Sequence, residues 1–342
     1  MTSARSSRRR VVAFALLVAA CAAGAALATF GGARSGRPDA PASAGARSAI
    51  VAARAERRPI VVYRVEDPHR PGGGGQVAIS SLDAPDGPRT RTRTPMSCDR
   101  VDFSAGDAGI CLTRGRGFAA GYEAKVFGPD LAVRHTIGVD GIPSRARVSP
   151  DGRYGAVTLF VTGDSYADTG TFSTRTTVID LAAGRKVADL EDFVIMHGQR
   201  RVTAVDVNLW GVTFARDSDR FYATLATGGR TYLIEGSVSA RTARVIHDNV
   251  ECPSLSPDGT RIAYKKRTGS AERPWRLTVL DLATMRETPL AEARSVDDQA
   301  EWLDDRHVLY GVGGSVWEAR ADGGGRPRRF IARAASPAVV RW

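Results

Sequence analysis

The tetrad Ser149-Pro150-Asp151-Gly152 returns as Ser256-Pro257-Asp258-Gly259, each time between an apolar residue and a run of alternating, β-branched residues. Pro presets φ at the second position of a type I turn, and Gly tolerates the left-handed exit, so both tetrads read as hairpin turns. A turn that recurs at a fixed place relative to its strands constrains the chain to a tandem array of β-hairpins.

Aligned on the residue before each turn, weaker copies appear at Phe103, Val148, Phe214, Leu255 and Trp302, and Trp342 supplies a sixth anchor. The spacings are 45, 66, 41, 47 and 40 residues. Four strands and four turns of a propeller blade need about 40–50 residues, so one interval carries insertions. Strands follow each anchor, and third strands end in acidic turns, as at Asp180 and Asp281. Residues 335–342 read as a first strand without the rest of its blade, and residues 59–63 and 76–80 as second and third strands without a first. Together they complete one blade. The expectation is an all-β, six-bladed β-propeller over residues 59–342, closed by a C-terminal strand that completes the N-terminal blade and leaves no open edge.

The segments Leu255-Ser-Pro-Asp-Gly-Thr-Arg-Ile-Ala-Tyr264 and Val148-Ser-Pro-Asp-Gly-Arg-Tyr154 resemble the repeat of the TolB-like, WD40-like (PD40) propeller family. The resemblance covers the propeller only and implies a six-bladed ring. For function it implies a range, from periplasmic protein-binding modules to domains of peptidases and other enzymes. The extra N-terminal globular domain of the family's namesake is not expected here.

Arg5, Arg8, Arg9 and Arg10 precede residues 11–30, which contain no charge and are long enough to span a bilayer with the arginines inside. Residues 1–30 are thus expected to form a signal peptide or membrane anchor, with the propeller outside the cell membrane. Three fates stay open: retention as a single-pass anchor, cleavage near Ala28 with secretion, or lipidation at Cys21. Residues 31–58, rich in small residues, Pro and Arg, read as a disordered linker whose end, residues 50–56, could form a short helix.

The formal charge of +11 falls to +7 without the four leader arginines, and the only lysines are Lys125, Lys186, Lys265 and Lys266. Export and an arginine excess typical of GC-rich coding argue against a nucleic-acid partner. A basic surface near anionic lipid or wall polymers is the alternative use of that charge. Cys98 and Cys111 flank the turn at residues 104–108 and are expected on neighbouring strands of one blade, where an oxidising exterior can join them. Cys252 is expected in the core.

Catalytic signatures are thin. Gly163-Asp-Ser-Tyr-Ala167 imitates a nucleophile elbow but ends in Ala, and the five histidines are scattered. The better site argument is geometric. Loops joining second to third strands, and fourth strands to the next blade, share one face of a propeller, opposite the Ser-Pro-Asp-Gly turns. Both insertions of the long interval, residues 162–174 and 191–209, are expected on that loop face. There Asp164, Asp168, Asp206, Asn208, Asp297, Asp298 and Glu301 offer oxygen ligands to a cation in the central channel, and Arg145, Tyr166 and Trp210 could hold a peptide or sugar. The competing reading is that these charges cap loops and meet water.

A non-catalytic scaffold, monomeric and tethered to the membrane, that binds an envelope protein, peptide or glycan requires no missing residue. The alternative is a lactonase- or cyclase-like propeller enzyme with a central metal site; otherwise no cofactor is expected. A purely structural envelope protein is the third class, and it would lack a concave ligand face.

Overall fold

Six sheets, antiparallel except for one parallel pair at the outer side of the fourth, succeed one another around the ring, each built outward from an inner strand. The structure, a computed structural model, describes residues 44–66, 75–87, 91–115, 121–163 and 172–342. The inner strands of blades I to VI are Ala334–Val340, Arg100–Phe103, Ile142–Val148, Asn208–Phe214, Glu251–Leu255 and Glu301–Asp304. Blade I has the expected composite order: the C-terminal strand pairs with Ile60–Val65, followed outward by Gly75–Ser81 and Thr92–Cys98. The chain closes its ring through its two ends. Trp342, the expected sixth anchor, lies beyond this strand and packs, partly buried, against the hydrophobic cluster between blades I and II.

The Ser-Pro-Asp-Gly turns join inner to second strands and close small hydrogen-bonded rings. The Ser149 hydroxyl donates to Asp151 (2.7 Å) and accepts from the Tyr154 amide (2.9 Å), while Asp151 accepts from the Arg153 amide (2.9 Å). Gly152 (φ 75°) and Gly259 (φ 76°) occupy the left-handed position. Most inner strands slip register against their neighbours, a bulge that bends them around the axis. At one such bulge, in blade IV, a Cβ on Gly211 would lie 2.7 Å from the Cys252 Cα, so only glycine fits.

Buried side chains fill the spaces between adjacent blades. Ile110, Leu112, Val157 and Leu159 lie between II and III, and Val308, Tyr310, Leu277 and Val279 between V and VI.

Three features depart from the sequence reading. Ala44–Ala55, placed within the linker, forms helix α1. Its Ile50 and Ala53, three residues apart and therefore on one face, are buried against blades I and II together with Trp342. The Cys98–Cys111 disulfide forms, with Cα atoms 5.4 Å apart, but it joins two blades rather than two strands of one. Cys98 ends the outer strand of blade I, whereas Cys111 lies in the second strand of blade II, opposite Val101. Finally, residues 191–209, expected as a long loop, are partly strand. Val194–His197 and Arg200–Arg201 extend blade IV to six strands, the former pairing in parallel with Thr242–Asp248 at its outer edge. The expected N-terminal apolar helix and Cys21 lie outside the described residues.

Candidate functional site: the axial channel and its mouth

All six blades contribute to a concave mouth of about 340 Å³ on the axis. It opens on the face of the Ser-Pro-Asp-Gly turns, not on the loop face where the site was expected. Its walls are the anchor residues Phe103, Val148, Phe214, Leu255 and Trp302, which end or lie within inner strands and therefore converge on the axis. Arg216 and Arg341 stand at its edge. Each donates to a backbone carbonyl, Arg216 to Pro257 (2.9 Å) and Arg341 to Leu303 (3.2 and 2.5 Å), and neither forms an ion pair among the described residues. The rim is thus cationic and the wall apolar and aromatic.

The floor is charged. Arg147 of blade III pairs with Glu301 of blade VI and donates to the Ala300 carbonyl (3.1 Å). Glu301 also accepts from the Val339 amide of blade I (3.1 Å), and Asp102 of blade II accepts from the Val148 amide of blade III (2.6 Å). This belt ties four inner strands together. Burial, with Glu301 adding to it and Arg147 opposing, pushes Asp102 up to about 6. For Arg147 burial works against the charge, but Glu301 and Asp102 outweigh it and hold the guanidinium above its usual value.

Toward the loop face lies a second cluster. Asp297 accepts from Lys265 (2.6 Å) and pairs with Arg145 (3.4 Å). Lys265 is fully buried, 4.1 Å from the centre of the Trp275 ring, and lies 3.8 Å from Glu251. Glu251 in turn pairs with Arg267 and accepts from the Trp275 indole (3.1 Å). Burial disfavours the Asp297 carboxylate, yet Lys265 and Arg145 outweigh that and lower it below the ordinary range. Burial also works against the Lys265 ammonium; the Cys252 sulfur, Asp297 and Glu251 overcome it and raise its value. The cluster sets three cations, Arg145, Lys265 and Arg267, against two carboxylates, Asp297 and Glu251.

The residues singled out from sequence separate into distinct roles. Arg145, Asp297 and Glu301 are brought to the axis. Asp298 is beside them but accepts from the Gly311 amide (2.9 Å), fixing the second strand of blade VI. Asp206 caps the blade IV hairpin by accepting from Thr227 (2.6 Å) and the Gly228 amide (2.7 Å), and Asn208 accepts from the Thr174 amide (2.8 Å). Trp210, expected at the channel mouth, is instead fully buried between blades against Phe160, Phe172, Cys252 and Trp275. Asp164, Tyr166 and Asp168 lie outside the described residues. Among the described residues no group of three His, Cys, Asp or Glu side chains is placed to hold a metal ion. Sequence reasoning passed over Asp102, Arg147, Arg216 and Arg341. Their signal was position, since each lies within two residues of an anchor or of the closing strand.

No protein-family model matches the chain, and no curated protein sequence is similar to it. Solved structures are similar in fold. TolB from Acinetobacter baumannii superposes with a TM-score of 0.54 at 16% identity, over 82% of this chain and 66% of that one. The chain has a TolB-like propeller fold. A chain of a nidogen/laminin complex matches equally well, with a TM-score of 0.54 at 10% identity, over 82% of this chain and 98% of that one. This chain spans just under two thirds of the length of the TolB structure. At these identities the likeness is one of fold alone.

Proposed function

We propose that this protein is a non-catalytic binding propeller held outside the cell membrane, taking a peptide segment of an envelope protein into the turn-face mouth. The observation that carries the reading is the mouth itself: apolar and aromatic walls from all six blades, with Arg216 and Arg341 at its edge. Such a surface suits an extended segment with apolar side chains and negative charge. The inter-blade disulfide supports an oxidising compartment, and the arginine-led apolar segment supports a membrane tether. Among chains of this fold, one lies in a nidogen/laminin complex, a protein–protein assembly.

Site-specific photo-cross-linking in the producing cells tests it. A cross-linker at Arg216 or Pro257, on the mouth, should give a discrete protein adduct, whereas one at the exposed Arg230 on the loop face should not. Adducts from Arg230 alone would place the binding face on the opposite side and overturn the reading.

A further inference from the structure

In a six-bladed ring blades III and VI face each other across the axis, so the Arg147–Glu301 pair is a bridge through the middle of the channel. A second bridge, Arg145–Asp297, crosses between the same blades nearer the loop face. The mouth ends at the first bridge, and a void of about 30 Å³ bordered by Arg145, Arg147 and Gln299 lies behind it.

Three observations mark the first bridge as exchangeable. Arg147 and Glu301 both line the mouth and keep 13% and 14% side-chain exposure, so an entering group can reach them. The two terminal nitrogens of Arg147 are engaged by Glu301 and the Ala300 carbonyl, but its Nε finds no acceptor among the described residues. A guanidinium can bind a carboxylate through two parallel N–H donors, and here the Nε side of that fork is unused. Glu301, for its part, keeps the Val339 amide as a partner if Arg147 turns away.

We propose that the Arg147–Glu301 bridge is a gate: a carboxylate entering the mouth takes the place of Glu301 on Arg147 and joins the mouth to the void behind it. This rests on the reading of the mouth as a binding site. Arg147, largely buried, needs a carboxylate in the place of the one it gives up, so neutral or cationic groups leave the bridge closed.

The full-length protein in detergent micelles, followed by NMR, tests the gate with acetate and its neutral analogue acetamide at constant ionic strength. Acetate should shift the Arg147 Nε–H and Val339 amide signals saturably, and acetamide should leave both in place. In Glu301→Gln, which keeps the side-chain shape but weakens the competitor, the Arg147 shift should saturate at lower acetate. Shifts confined to the Arg216 Nε–H would overturn the gate while leaving the mouth reading intact. The absence of any saturable shift would also overturn the gate, the mouth reading then being decided by the cross-linking experiment.

Discussion

Lys265 is the residue whose environment is most demanding. A fully buried ammonium is tolerated because Asp297, Glu251 and the Trp275 ring surround it. Lys265→Met keeps the volume but takes the buried ammonium from between Asp297 and Glu251, which keep only Arg145 and Arg267 as cationic partners, and should cost about 3 kcal/mol in urea unfolding. An unchanged midpoint would show that the cluster contributes little. Titration gives a second test. Glu191 accepts from the Thr176 amide (3.0 Å), and burial pushes it up to about 7, while Asp102 rises to about 6. Below the unfolded carboxylate range both states hold these protons; from there to about pH 7 the fold keeps protons that the unfolded chain has released. Stability should therefore fall as pH rises across that window and level off above it, by up to about 3 kcal/mol for Glu191. Glu287 and Asp258, held at about 2 by their hydrogen bonds despite partial burial, act in the opposite sense, and their stabilisation is lost only in acid. Melting temperature against pH should peak in the unfolded carboxylate range, about pH 4 to 5, and Glu191→Gln should flatten the decline toward neutrality. A Glu191→Gln profile that still declines as steeply as the wild type would remove Glu191 as its source.

Among the elements, the inner hairpins were legible because their signal is local. Ser256, Asp258 and Thr260 lie within one turn, and their mutual bonds can be anticipated from spacing alone. Asp258→Ala should cost about 1 kcal/mol by leaving those donors to water, measured by denaturation against Ser270→Ala as a solvent-exposed control. Helix α1 was less legible, since Ile50 and Ala53 are a sparse apolar pair in an Arg- and Ala-rich stretch. Only the facing surface of blades I and II, with the C-terminal Trp342, makes them core residues. Ile50→Ala should destabilise the domain by about 3 kcal/mol if the helix is integral to it, whereas a tether would tolerate the change. The outer strands of blade IV were illegible for another reason: Val194–His197 pairs with a strand nearly fifty residues later, and nothing local marks that partner. The same non-locality hid the site. Asp297 and Arg145 looked available for a ligand in sequence but are bonded to each other, and Trp210, whose lead position suggested the channel, turns into the wall between blades.

At the scale of the whole molecule, stability depends on how a ring with one composite blade is kept shut. Two fastenings meet at blade I. The disulfide joins its outer strand to blade II across a sequence separation of 13 residues, and a loop of that size contributes about 3 kcal/mol in the chain-entropy description. The closing strand Ala334–Val340 pairs with Ile60–Val65 and puts Ala338 and Val340 into the core beside α1. These fastenings restrain different motions: the disulfide stops blades I and II from separating, whereas the strand supplies the inner layer of blade I itself. Cys98→Ser with Cys111→Ser should therefore lower the melting temperature and leave a monomeric propeller. Deleting residues 336–342 should be far worse. It uncovers the Ile60–Val65 edge, removes the Val339 amide that anchors Glu301, and takes Ala338, Val340 and Trp342 out of the cluster that buries Ile50 and Ala53, so backbone donors, the axial belt and the α1 core fail together. Light scattering coupled to size exclusion should show unfolded or oligomeric material, because an exposed strand edge pairs with another copy. A monomeric truncation melting with the intact protein would mean that the ring holds without its closing strand.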